Sequence, residues 1–178
     1  MGGHRRSIRI PWHNYALPYG YFITICANGG ACVFGHITHG KMILNDWGVI
    51  VQKEWNKTAC LRNDVRLDSS VIMPNHFHAT MMLGWVQDRA PCAAPLHGRE
   101  KSRGPIPRSL GTIVCSFKAA VTRRARECGW PKNQPIWQRN YYEHIIRSED
   151  DLNRIREYVS LNPLRWNEDC YYTPDFSV

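Results

Sequence analysis

Two apolar-rich stretches, residues 65–73 and 77–83, are separated by little more than Pro74-Asn75. Each is long enough for a strand, and a link that short joins only antiparallel neighbours, because a parallel pair needs a crossover of a dozen residues or more. A second short link lies at His39-Gly40, between extended pieces around 32–37 and 41–44 that read as a hairpin. Helical patterns are interspersed with these strands. The expected class is therefore α+β, an antiparallel sheet with its helices mainly on one face, and not a doubly wound parallel sheet.

The other elements follow from local pattern. Residues 21–26 are β-branched and aromatic and read as a buried strand that Gly29-Gly30 ends. Asn45 or Asp46 caps a helix to about Cys60, with Trp47, Ile50, Val51, Glu54 and Trp55 at helical spacing. Ser109 caps a second helix whose apolar face is Leu110, Ile113, Val114, Phe117 and Val121, stopped by Gly129 and Pro131. Residues 136–147 have extended character. Ser148-Glu149-Asp150-Asp151 opens a last helix, which Asn162-Pro163 ends. Residues 87–107 are rich in Pro, Gly, Arg and Lys without apolar periodicity. They are expected to form a mobile loop within one domain spanning 1–178.

Charge and cysteine usage narrow the partners. Lys and Arg outnumber Asp and Glu by 23 to 15 in 178 residues, a net charge of +8. A basic surface concentrates polyanions, so nucleic acid is the first partner to expect. No apolar run approaches the ~20 residues that a membrane-spanning helix needs, and the start leads into no apolar stretch of secretory type. The seven cysteines are scattered and form no C-x-x-C pair, which suits neither a disulfide framework nor a zinc module. A reduced, cytoplasmic protein with a few buried thiols is the expectation.

His76-Phe77-His78 is the sharpest local motif. On a strand, His76 and His78 project to one side and Phe77 to the other, so two imidazoles can share a divalent ion while Phe77 anchors the core. The alternative is a pair of half-buried histidines after a turn. His4, His13, His36, His39, His97 and His144 have no such arrangement and read as surface or structural.

Tyr158 and Asn162 stand four apart on the last helix, hence on one face, along the edge of a stripe of Leu152, Ile155 and Val159. A phenol there can present its oxygen outward while its ring packs. With a pKa of about 10, it attacks only a phosphorus already made electrophilic, as a bound cation makes it. Tyr141 and Tyr142, next to Arg139, are rival candidates for nucleophile or for base stacking. Lys118, Arg123, Arg124 and Arg126 crowd the later turns of the second helix. With Arg139 they are the expected nucleic-acid contacts.

Three segments in fixed order resemble the single-tyrosine transposases of the HUH endonuclease superfamily, most of all the REP-associated tyrosine transposase branch. They are Ile72-Met73-Pro74-Asn75-His76-Phe77-His78, residues 136–147, and Arg156-Glu157-Tyr158-Val159-Ser160-Leu161-Asn162-Pro163. The resemblance spans about residues 7–166. It implies a ferredoxin-like fold with the histidines on a central strand, His76 and His78 as metal ligands, and Tyr158 as the nucleophile. Asn162 stands where many relatives carry a Gln ligand. Also implied are Mg²⁺ or Mn²⁺ as the metal, a 5′-phosphotyrosine intermediate, and single-stranded DNA with hairpin or palindromic repeats as substrate, in a bacterial, nucleoid-associated setting. Relatives include monomers and helix-exchanging homodimers. Two rivals remain open: a non-catalytic single-stranded nucleic-acid-binding module of the same fold, and a hydrolase in which a metal-activated water attacks.

Overall fold

The computed structural model describes residues 20–84 and 109–173. The basic arm at 4–9, the loop expected at 87–107, and His4, His13, Cys92 and His97 lie outside the described residues.

The chain runs β1 (Gly20–Cys26), β2 (Gly35–Thr38), β3 (Lys41–Leu44), α1 (Asp46–Cys60), β4 (Val65–Ile72), β5 (His76–Leu83), α2 (Leu110–Glu127), β6 (Tyr142–Ile146) and α3 (Glu149–Leu161). Four strands form one sheet in the order β4-β5-β1-β6, and all neighbours are antiparallel. Setting aside the separate β2-β3 hairpin, the order β1-α1-β4-β5-α2-β6 is ferredoxin-like. The short link between β4 and β5 is the predicted tight turn, closed by Met73 N–H donating to the His76 carbonyl at 2.8 Å.

Each helix begins where a side chain satisfies a free backbone N–H. Asn45 accepts from Gly48, Ser109 from Thr112, and Ser148 from Asp151. The hairpin turns at His39 and Gly40, with φ of 50° and 69°. That is the left-handed region in which Gly carries no penalty.

α1 and α2 cover one face of the sheet. Their core centres on Phe77, whose ring lies 5.1 Å from Trp55 and 5.5 Å from Phe117, in edge-on and tilted contacts. α3 lies on the opposite face, where Leu152 and Val159 pack with Phe22 and Ile146. The helices are therefore mainly on one face, with the third reserved for the histidine side.

β4 is irregular between Leu67 and Ser70, where Asp68 and Ser69 together oppose Thr80. Such a bulge turns both side chains toward the same face. The Thr80 hydroxyl is within 2.8 Å of Ser69 Oγ and donates to Asp68 at 3.1 Å. Asp68 thereby meets α3, accepting from Arg156 Nη2 at 2.6 Å and Nε at 2.9 Å. This two-pronged pair joins the bulge to the helix that carries Tyr158.

Two expectations need correction. The extended stretch at 136–147 forms a strand only over Tyr142–Ile146, preceded by one bridge between Trp137 and Ala27. The carbonyls of Gln138, Arg139 and Asn140 accept from Lys118 Nζ, at 2.5, 3.2 and 3.4 Å, instead of joining a ladder. The cysteines are not buried: among the described residues all six are free thiols, Cys26 and Cys32 half-buried, and Cys60, Cys115, Cys128 and Cys170 exposed. Among the described residues no helix is long and apolar enough to cross a membrane.

Candidate active site

Strand alternation places His76 and His78 on the α3 face of β5, between β4 and β1, with both rings buried. Phe77 points the other way into the Trp55–Phe117 cluster, so the register of the two rings is fixed by the core. The ring nitrogens facing away from the site have partners. His76 Nδ1 lies 2.8 Å from Asn75 Oδ1, and His78 Nδ1 lies 2.8 Å from Thr24 Oγ1. An amide oxygen only accepts, so His76 carries its proton on Nδ1 and leaves the Nε2 lone pair for the site.

The two Nε2 atoms converge to 3.0 Å. Burial, the largest influence, depresses both histidines, His76 to about 4, even though Asp169 pulls that ring the other way. Both rings are thus neutral at pH 7, the form that binds metals.

Asp169 follows a short 3-10 turn at Trp166–Glu168 and returns its carboxylate to the histidines, with Oδ2 3.8 Å from His76 Nε2. One ligand atom from each of His76, His78 and Asp169 falls within 4.8 Å of the others. Asn75 secures this returning segment by donating from Nδ2 to the Tyr171 carbonyl at 2.8 Å. The Tyr171 backbone N–H in turn donates to Asp169 Oδ1 at 2.7 Å.

Tyr158 reaches the same place from α3 of the same chain. Its Oη lies 3.2 Å from His78 Nε2 while its ring meets Phe22 edge-on, and the residue is 43% exposed. Burial first, then the charge of Asp169, pushes this phenol above the usual tyrosine range. Asn162, the C-cap of α3, is buried beside it and donates from Nδ2 to Asp169 Oδ2 at 2.6 Å, while its Oδ1 has no hydrogen-bond partner.

The donor set fits a divalent cation. Two neutral imidazole nitrogens and a carboxylate converge at one spot, with the Asn162 amide hydrogen-bonded to that carboxylate, a combination suited to a borderline or hard divalent ion. His76, His78, Tyr158 and Asn162 are brought together as the sequence suggests. Asp169 is the site residue that sequence reasoning missed. It lies outside any periodic element and beyond the resembling segments, and only the demand for an anionic oxygen ligand could have drawn attention to it.

The predicted DNA contacts lie elsewhere. Lys118, Arg123, Arg124 and Arg126 belong to α2, on the Phe77 side of the sheet, and Arg139 belongs to the segment before β6. Lys118 is spent on backbone carbonyls and Arg124 pairs with Glu127 at 2.8 Å. Arg123, Arg126 and Arg139 are exposed. Tyr141 packs against the α1/α2 core, whereas Tyr142 is exposed on the α3 face with its ring 6.5 Å from Phe22. His36 and His39 are exposed, and His144 Nε2 sits 2.8 Å from Asp151 Oδ2.

No protein-family model matches the chain. An uncharacterized protein of Haemophilus influenzae is 42% identical over 174 residues, which cover 95% of this chain and 93% of that protein. Among solved structures, a REP-associated tyrosine transposase bound to a REP hairpin superposes with a TM-score of 0.56. The identity is 17%, over 88% of this chain and 74% of the other. At that identity the likeness is one of fold.

Proposed function

We propose a function from one premise: this chain belongs to the same family as the Haemophilus influenzae protein and has the fold of a REP-associated tyrosine transposase. The proposed activity is cleavage and rejoining of single-stranded DNA bearing a hairpin, through a covalent 5′-phosphotyrosine. The observation that carries it is the approach of Tyr158 Oη to 3.2 Å from His78 Nε2, beside the His76–Asp169 pair. A half-exposed hydroxyl nucleophile, a cation site and a basic chain meet the three needs of phosphoryl transfer: attack, charge neutralisation and polyanion capture.

In this reading His76, His78 and Asp169 hold Mg²⁺ or Mn²⁺, and Asn162 orients the carboxylate or adds its free oxygen. A divalent ion held by these residues would supply Lewis-acid polarisation of the phosphate and would favour the phenolate form of Tyr158. Tyr158 gives its proton to water and its oxygen bonds to phosphorus. The P–O3′ bond breaks, and the departing 3′ oxygen takes up a proton to leave a free 3′-hydroxyl. The phosphodiester energy is kept in the phosphotyrosine, so attack by a 3′-hydroxyl reverses the step and joins ends without ATP. His76, His78, Asp169, Asn162 and Tyr158 all belong to the one chain.

The test is incubation of the protein with Mn²⁺ and a 3′-labelled single-stranded hairpin oligonucleotide. A covalent protein–DNA adduct is expected, absent in EDTA and in Tyr158→Phe and His76→Ala. An adduct persisting in Tyr158→Phe moves the nucleophile to Tyr142, and free cleaved ends without an adduct indicate attack by water. One observation favours a second reading, a binding module without chemistry: burial and Asp169 make Tyr158 a weaker acid than ordinary tyrosine. That reading predicts salt-sensitive DNA binding with no adduct in any divalent metal.

A further inference from the structure

A groove of about 760 Å³ opens between the later turns of α2 and the segment leading to β6. Its cationic side chains include Arg123, Arg126, Lys132 and Arg139, and its exposed apolar wall is formed by Ala119 and Pro135, with Ile136 and Trp137 buried in the lining. Among the described residues in its lining the single acidic one is Glu127, which is engaged by Arg124. The volume lies within the ~300–1,000 Å³ typical of ligand sites. Trp137 is held from behind by Phe34 at 5.1 Å and Phe117 at 6.0 Å, and its buried indole N–H has no hydrogen-bond partner.

The groove is structured by a dedicated contact. Lys118 donates to the carbonyls of Gln138, Arg139 and Asn140, which fixes the strand of chain that bears Arg139 against α2. Cations beside an apolar wall suit a nucleic-acid strand whose bases are unpaired. A duplex keeps its base faces stacked inside and offers only its phosphates to such a wall.

The groove lies on the α2 side of the sheet and Tyr158 on the α3 side, yet the route between them is short. β6 is the last strand of the sheet. From Arg139 to Tyr142 is three residues, about 10 Å of extended chain. Tyr142 is 49% exposed on the α3 face, and Phe22 bridges it to Tyr158 with ring separations of 6.5 and 6.1 Å.

We propose that this groove is a second DNA contact that holds the single-stranded segment flanking the cleaved bond, the strand passing over the β6 edge by Tyr142 to Tyr158. The assignment of cleavage to Tyr158 rests on the function proposed above, but binding in the groove does not depend on chemistry. It gives the substrate a defined single-stranded length next to its hairpin.

The test is fluorescence anisotropy with the full chain in EDTA, using a labelled single-stranded 12-mer and a blunt duplex of equal length. Arg123→Gln/Arg126→Gln/Arg139→Gln is compared with Lys41→Gln/Lys53→Gln/Lys57→Gln, which removes equal charge from the exposed β3–α1 surface. Single-strand affinity is expected to fall at least tenfold in the first triple variant. Its slope of log K against log salt should become shallower by about 2, as loss of three single-strand phosphate contacts implies. The control should stay within about threefold, and Tyr142→Ala should weaken single-strand binding while leaving the duplex unaffected. Equal loss in both triple variants, or equal affinity for single strand and duplex, overturns the proposal. If these losses appear while wild type forms no adduct with Mn²⁺, the groove stands and the cleavage reading falls.

Discussion

Asn162 turns its amide nitrogen to Asp169, Nδ2 donating to Oδ2 at 2.6 Å, and leaves its oxygen buried without a donor. An ionised carboxylate accepts and never donates, so the amide has no other way to face it. In the proposed function the pair would divide the third-ligand role expected of Asn162 alone. Asp169 supplies the negative charge at 3.8 Å from His76 Nε2, and Asn162 sets the carboxylate's orientation.

The first prediction follows. Asp169→Asn, which keeps shape and removes charge, should weaken Mn²⁺ binding by at least about a hundredfold in calorimetric titration. Asn162→Ala should cost about 10–100-fold, the usual loss when a group orienting a metal ligand is removed. Should Asn162→Ala prove far more damaging than Asp169→Asn, the amide is the direct ligand and the carboxylate the support.

The histidine register depends on a residue that never touches the site. Phe77 is buried between Trp55 and Phe117 on the reverse of β5. Phe77→Ala should destabilise the protein by about 3–5 kcal/mol in urea unfolding, the range for emptying an aromatic core position. Phe77→Leu should lose less, and it should retain Mn²⁺ binding if the strand keeps its register. A loss under about 1 kcal/mol for the alanine variant would mean that Phe77 is not a core anchor.

How much of this was legible in the sequence depended on distance along the chain. His76 and His78 obey a period of two and Tyr158 and Asn162 a spacing of four, so the strand and helix alone put each pair on one face. Which faces meet is another matter. The Asp68–Arg156 pair spans 88 residues and depends on a bulge that no local pattern announces. Asp169 reaches the site because the segment after α3 folds back under the grip of Asn75, 96 residues from Tyr171. The cationic residues were visible as a cluster, but their placement across the sheet from the histidines follows from the apolar face of α2 packing on Phe77.

The Asp68–Arg156 pair makes stability depend on pH in a defined direction. Hydrogen bonding and charge from Arg156 hold the Asp68 carboxyl below its ordinary range. A depressed folded value means that the contribution is fully present above the unfolded aspartate pKa of about 3.9 and is lost as pH falls through the lower native value. Asp68→Asn should therefore be less stable than wild type at pH 7, and the gap should close below about pH 4. A gap that is constant between pH 7 and the acid limb would show that the ion pair contributes nothing to the difference. Because Arg156 lies two residues before Tyr158, the same variant should also lower adduct yield at pH 7 without changing Mn²⁺ affinity.

Tyr158 supplies the test that separates a nucleophile from a packing residue. In the structure its phenol is raised above the usual range, first by burial and then by the nearby negative charge of Asp169. Both influences oppose ionisation, and a divalent cation held by His76, His78 and Asp169 would reverse the second and offset the first. Ultraviolet titration of wild type minus Tyr158→Phe should therefore show the Tyr158 ionisation at lower pH with Mn²⁺ than with EDTA. The rate of adduct formation should rise with pH along the same curve, because the phenolate is the attacking form. His76→Ala should remove the Mn²⁺-dependent shift along with the adduct. If Mn²⁺ binds to wild type and leaves the Tyr158 titration unmoved, the ion and the phenol do not share a site, and Tyr158 is a helix-edge tyrosine and no more.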